Sequence, residues 1–282
     1  MKEFSGKVAV ITGGAEGIGK AFAAKAASLG MKLVLADIDT AKLEKTAQEL
    51  HDEFEVEVIT QRTDVSQEEA VRALADRAFS EFGNVHLLFN NAGVAAGGNA
   101  WETSTKEWNW VLGVNLYGVV HGLQAFLPRM LANGDEGHII NTASAAGLTS
   151  QPSMATYNVS KHGVVTLSEG LYQDLLLRKA KVSVSVLCPA WVKTRIADMT
   201  RYDTEDRHVE LDKLDAVARK TARAVEQAVE NGIPPQQVAE VTFAAIVDNR
   251  FYILTHDMVK IAVQLRLKDI AEGHQPRLVP FN

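Results

Sequence analysis

Short apolar, β-branched runs alternate along this chain with longer stretches whose apolar positions recur every three or four residues. The first pattern predicts buried parallel strands and the second amphipathic helices. Strands are expected at Lys7–Thr12, Lys32–Ala36, Val56–Arg62, Val85–Phe89, Gly137–Thr142, Val182–Leu187 and Phe251–Leu254. Helices are expected from the first glycine-rich turn to about Leu29, then over Ala41–Phe54, Glu68–Phe82, Lys106–Leu131, Thr156–Leu177, Ile233–Val247 and around Val259–Ile270. Such alternation predicts an α/β fold. The stretch between Thr194 and Pro234 breaks the rhythm. It is charged, and Leu211, Leu214, Val217, Ala218, Thr221, Ala222, Val225, Ala228 and Val229 fall at helical spacing. Because it follows a strand C-terminus, residues 195–232 are expected over the ligand crevice. There they form either a substrate lid that excludes water or a helix packed on the body.

Length and composition narrow the class. The 282 residues suffice for one large α/β domain, and we expect the whole chain to form it. A net charge of −6 argues against a nucleic-acid partner. The single cysteine, Cys188, sits in an apolar strand, where a packed thiol is expected. The N-terminus shows no signal-peptide pattern, and no apolar stretch reaches the ~18 residues of a membrane span. A cytoplasmic protein with no membrane partner is the expectation.

Candidate chemistry begins after the first strand. Gly13, Glu16, Gly17, Ile18 and Gly19 lie between a strand and a helix. Glycines there let the backbone turn tightly and approach a pyrophosphate, which the helix N-terminus attracts. Asp37 ends the second strand, 20 residues after Gly17, where a carboxylate can accept from adenosine ribose hydroxyls. Asp37 and Glu16 would both repel a 2′-phosphate, so NAD is favoured over NADP. Asp64 and Val65 follow the third strand and are expected to border the adenine. Asn91, Ala92 and Gly93 follow the fourth, small enough to let backbone come near a cofactor. Asn115 is a polar amide in an apolar helix and needs partners. It either holds a kink or water near the site or is a satisfied core residue.

Tyr157 and Lys161 are four residues apart, hence on one helical face. A lysine beside a phenol favours the phenolate, which lets the tyrosine exchange protons near neutral pH. Ser144, at the end of the preceding strand, can come beside that phenol. The pair alone would also suit an ordinary surface helix; the upstream motifs give it meaning.

Taken together, Thr12-Gly13-x-x-x-Gly17-Ile18-Gly19, Asp64, Asn90-Asn91-Ala92-Gly93, Asn115, Ser144, Tyr157-x-x-x-Lys161 and Pro189-x-x-Val192-x-Thr194 resemble the short-chain dehydrogenase/reductase family. The resemblance runs from residue 7 to about 194. It implies a Rossmann-like, doubly wound, seven-stranded parallel sheet of order 3-2-1-4-5-6-7 with helices on both faces. It implies Tyr157 as general acid/base, Ser144 as holder of the substrate oxygen, and Lys161 as tuner of the tyrosine and partner of the nicotinamide ribose. Asn115 would support a water in the proton relay. Pro189, Val192 and Thr194 would approach the nicotinamide end. A homodimer or homotetramer packed through the helices at 106–131 and 156–177 is also implied.

Departures bear on substrate. Ala190 stands where the family often has glycine, and Trp191 where it has a smaller residue. Enlarged lids accompany bulky substrates in the family, so a large apolar secondary alcohol or ketone is expected, walled by Leu148, Met154, Trp191, Ile196 and Met199. Alternatives are a reductase of carrier- or CoA-bound 3-oxoacyl groups, and a dinucleotide sensor without chemistry.

Overall fold

The structure is a computed structural model that describes residues 1–198 and 216–278. Its frame is a seven-stranded parallel sheet of order β3-β2-β1-β4-β5-β6-β7. The strands are β1 (Val8–Thr12), β2 (Lys32–Asp37), β3 (Val58–Arg62), β4 (Leu87–Asn90), β5 (Gly137–Thr142), β6 (Val182–Cys188) and β7 (Tyr252–Leu254). All seven predicted strands are present. Their bounds shift by one or two residues at the ends, where pairing stops.

The helices are α1 (Gly17–Ser28), α2 (Thr40–Phe54), α3 (Glu68–Phe82), α4 (Thr105–Leu112), α5 (Gly118–Asn133), α6 (Ala155–Leu177), α7 (Ala216–Glu230), α8 (Pro235–Asp248) and α9 (Asp257–Glu272). Alternation along β1 explains the layering. Ala9 and Ile11 enter a core with Phe22 of α1 and Phe243 of α8, where Phe89 stacks between those two rings. Val8 and Val10 face the opposite core, with Leu74 and Phe79 of α3 and Phe126 of α5.

Two expectations need correction. The helix predicted at 106–131 is interrupted by a π turn, Gly113–Tyr117, between α4 and α5. Asn115 sits in that turn, completely buried. The combined run Thr105–Asn133 is also long and apolar enough, by composition, to cross a bilayer, contrary to the reading of the apolar stretches. Its inward residues Val111, Val119, Phe126 and Met130 are committed to the core of this fold.

A buried polar pair ties β5 to β6. Ser185 donates to the Arg250 carbonyl at 2.6 Å, so the His138 Nε2–H donates to the Ser185 hydroxyl at 2.7 Å. The ring's Nδ1 is buried with no hydrogen-bond partner among the described residues. Burial pushes the His138 pKa down to about 3. Unfolded histidine takes up a proton near pH 6.5, whereas the folded ring resists it, so this contribution is complete above pH 6.5 and lost as pH falls towards 3. At pH 5 the expected loss is about 2 kcal/mol. His138→Gln should therefore show a shallower fall in Tm between pH 7 and 5 than the parent chain. Parallel falls would mean that His138 takes no part.

Candidate active site

The C-terminal ends of the strands surround a cavity of about 310 Å³. Residues from both halves of the sheet line it, including Gly13, Glu16, Gly17, Ile18, Gly19, Asp37, Asp64, Val65, Asn91, Ala92 and Gly93 from the first four strand ends. Ser144, Tyr157, Lys161, Pro189, Val192 and Thr194 join them from the later elements. This is where a doubly wound sheet places a ligand, because the loops diverge on either side of the central strands.

Sterics shape the glycine turn. A Cβ on Gly19 would lie 1.9 Å from the Gly13 carbonyl oxygen, and one on Gly13 would lie 2.9 Å from Ala92 Cα. Gly13 and Gly17 have φ of +66° and +57°, which glycine adopts without strain. Thr12 fastens this turn to the fourth strand end: its hydroxyl accepts from the backbone N–H groups of Asn91 (2.9 Å) and Ala92 (3.1 Å). Asn91 Nδ2 returns a bond to the Thr12 carbonyl at 3.0 Å.

Asp37 points back at the same turn. Its carboxylate accepts from the backbone N–H groups of Ala15 and Asp39, each at 3.1 Å. Burial raises its pKa and these backbone bonds oppose the rise. Glu16 has two cations nearby, Lys42 Nζ at 3.4 Å and Arg195 Nη1 at 3.8 Å. Those cations partly offset its charge. Asp64 accepts from the N–H and hydroxyl of Ser66 at 3.0 and 2.7 Å, which fixes the turn into α3.

On α6, Tyr157 and Lys161 share a buried face. Lys161 Nζ lies 5.7 Å from the centre of the Tyr157 ring and donates to the Thr142 carbonyl at 3.0 Å. Burial lowers the Lys161 pKa to about 8. The adjacent Cys188 thiol, pushed up to about 12 by burial, stays protonated and packs in the core. Ser144 accepts from Ala146 N–H at 3.2 Å and donates to the Pro189 carbonyl at 3.4 Å, which holds its hydroxyl at the cavity wall.

Asn115 does not line the cavity. Its Oδ1 accepts from Val94 N–H at 2.8 Å, and its Nδ2 donates to the Val94 carbonyl at 2.9 Å and the Ser160 hydroxyl at 3.1 Å. Both expected readings are partly met: the amide is satisfied in the core, and it sits where the helix is irregular. It clamps the chain just beyond Gly93, where a Cβ would stand 3.3 Å from Asn115 Oδ1 and 3.5 Å from Lys161 Nζ.

Of the expected substrate wall, Met154, Trp191 and Ile196 line the cavity. Leu148 does not. It packs with Val119, Ala143 and Val164, because the short helical turn at Ala145–Gly147 rotates it inward. Met199 lies outside the described residues, as do Leu211 and Leu214. Val225 and Val229 of α7 line the cavity, and Val225 packs on Ala146, Met154 and Tyr157. Sequence reasoning missed Trp110, Val114 and Gln151, which also line it. The first two sit just before and within the π turn, whose position no periodicity reveals.

The family model for short chain dehydrogenases matches residues 7–205. This chain belongs to the short-chain dehydrogenase/reductase family. Among its relatives is a CLA biosynthesis dehydrogenase/reductase of Lactiplantibacillus plantarum, 35% identical and covering 98% of this chain and 97% of the relative. A C alpha-dehydrogenase of a Sphingobium species is 31% identical, over 98% of this chain and 89% of the relative. Among solved structures, a short-chain dehydrogenase/reductase from Burkholderia phymatum in complex with NAD superposes with a TM-score of 0.94. It is 50% identical, with all of both chains covered. As a member of this oxidoreductase family, the chain has the sheet order and helical layers that the motifs implied.

Proposed function

We propose that this short-chain dehydrogenase/reductase interconverts a secondary alcohol and its ketone with NAD(H), Tyr157 being the general acid/base. One observation carries the reading. A buried lysine lies beneath a cavity-lining phenol, with a serine hydroxyl in the same wall and a glycine cradle across the crevice. The cradle fits a dinucleotide: a side chain on Gly13 or Gly19 would crowd it, and the Glu16 side chain at the N-cap of α1 makes no capping bond to the first N–H groups. Those N–H groups would hold the pyrophosphate, Asp37 the adenosine ribose, and Lys161 the nicotinamide ribose. NAD, when bound, supplies the site for hydride transfer.

The chain's own groups handle the proton and the orientation. In oxidation the Tyr157 phenolate removes the hydroxyl proton of the alcohol; in reduction the phenol returns it to the oxygen. Ser144 donates a hydrogen bond to that oxygen as its charge changes. The Lys161 ammonium stabilises the phenolate. Asn115 positions the Gly93–Val94 backbone that borders Lys161. The packing of α7 over Tyr157 restricts water at the reacting oxygen, and it suits an apolar secondary alcohol or ketone better than a carrier-bound acyl group.

The test is a panel of aliphatic and aromatic secondary alcohols and ketones, followed by nicotinamide absorbance with NAD and NADP in parallel. Turnover with NAD is expected; NADH binding without turnover of any member would instead favour a sensor. Asp37→Ser should raise the NADP/NAD ratio of kcat/KM by about tenfold or more, since it removes a carboxylate that would repel a 2′-phosphate. An unchanged ratio would show that Asp37 does not read the ribose.

A further inference from the structure

The part of the cavity around Tyr157 is apolar. Val94, Ala95, Trp110, Met154, Trp191 and Val225 line it. The acidic lining residues Glu16, Asp37 and Asp64 belong to the first three strand ends, and Arg195 is engaged with Asp198 at 2.7 Å and Glu16 at 3.8 Å. Apart from Ser144, Tyr157 and Lys161, Gln151 adds a polar residue to this wall. Its carbonyl accepts from Asn158 Nδ2 at 2.7 Å, which ties it to the helical turn carrying Tyr157. Pro152 follows it, and Ser153 next adopts φ +54°, left-handed backbone that a non-glycine residue seldom takes. The Ser153 carbonyl accepts from Gly98 N–H at 2.7 Å, and Met154 bridges to Gly98. The backbone at 151–154 is therefore held from two sides. The Gln151 side-chain amide makes no hydrogen bond to any described residue.

Resting on the dehydrogenase reading above, we propose that Gln151 determines specificity. It selects neutral secondary alcohols whose apolar arm carries a second oxygen, a hydroxyl or ether, away from the reacting carbinol. An amide can donate to an ether oxygen and both donate to and accept from a hydroxyl. In an apolar chamber, leaving such an amide unmatched costs free energy, and so does burying a substrate oxygen without a partner. Of the cations that line the cavity, Arg195 is paired with Asp198 and Glu16, and Lys161 lies buried beside Tyr157 with its ammonium on the Thr142 carbonyl, an arrangement that disfavours carboxylate-bearing arms.

The test compares 1-phenylethanol with its 2-, 3- and 4-hydroxy and methoxy ring derivatives on the parent, Gln151→Leu and Gln151→Glu enzymes. Two quantities are read: kcat/KM, and the Kd of the matching ketones from tryptophan fluorescence quenching in the NADH complex. For at least one ring position the parent enzyme should prefer the oxygenated probe. Gln151→Leu should shrink that preference about tenfold, through KM and Kd rather than kcat. Gln151→Glu, which can only accept, should keep the hydroxyl preference and lose the methoxy one. Equal preferences in all three proteins at every ring position would overturn the proposal. If no alcohol is oxidised, the dehydrogenase reading fails, and the ketone Kd series still decides the role of Gln151.

Discussion

Tyr157→Phe is expected to lower kcat about 1,000-fold while NADH still binds with nearly the parent affinity. The phenol oxygen is the atom positioned to exchange a proton with the substrate, and general acid/base groups typically supply 10²–10⁴-fold. The ring itself packs with Ala146, Met154 and Val225, so phenylalanine preserves that contact and the variant should fold. Steady-state kinetics and NADH fluorescence titration on the same preparation separate the two effects. Turnover within about tenfold of the parent would remove Tyr157 from the role. Simultaneous loss of NADH binding would instead point to a structural part for the hydroxyl.

Gly19→Ala should be the most damaging single change in the cofactor half. The added Cβ would stand 1.9 Å from the Gly13 carbonyl oxygen and 2.8 Å from Asn91 Nδ2. Neither can retreat cheaply: Asn91 is bonded to the Thr12 carbonyl, and Gly13 packs so closely on the fourth strand end that a Cβ added to it would stand 2.9 Å from Ala92 Cα. Relieving the overlap must move the turn from α1 or from the fourth strand end. A displacement of that size is expected to cost about 3 kcal/mol or more, weakening NADH binding at least about 100-fold. Gly170→Ala, on α6 where a Cβ meets nothing within 4 Å, should leave NADH affinity unchanged. Near-parent affinity in Gly19→Ala, with unchanged circular dichroism, would contradict the close-packed cradle.

Much of the site was legible because its chemistry is local. The glycine turn after β1, the carboxylate ending β2, and the Tyr157–Lys161 pair each occupy a short stretch whose backbone geometry follows from its own residues. The substrate side was less legible. Leu148 was expected in the wall, yet a short helical turn directs it to the core, and nothing in an apolar residue's type says which way it faces. Glu16 was read as adding to the repulsion of a 2′-phosphate; its neighbours Lys42 and Arg195 come from α2 and from the segment after β6. Gln151 carries no motif, and only its place beside Tyr157 makes it conspicuous.

From the residues alone came the α/β class, the seven strands in order and the ends of the strands as the place of chemistry. Short β-branched apolar runs and period-3.6 patterns are short-range and survive without knowledge of neighbours. Tertiary structure decided the π turn that buries Asn115, the packing of α7 on Tyr157 and the pairing of Glu16. It also decided which apolar side chains bound the cavity. Each of these depends on contacts between segments far apart in the chain, whose energies are set only once the sheet has brought them together.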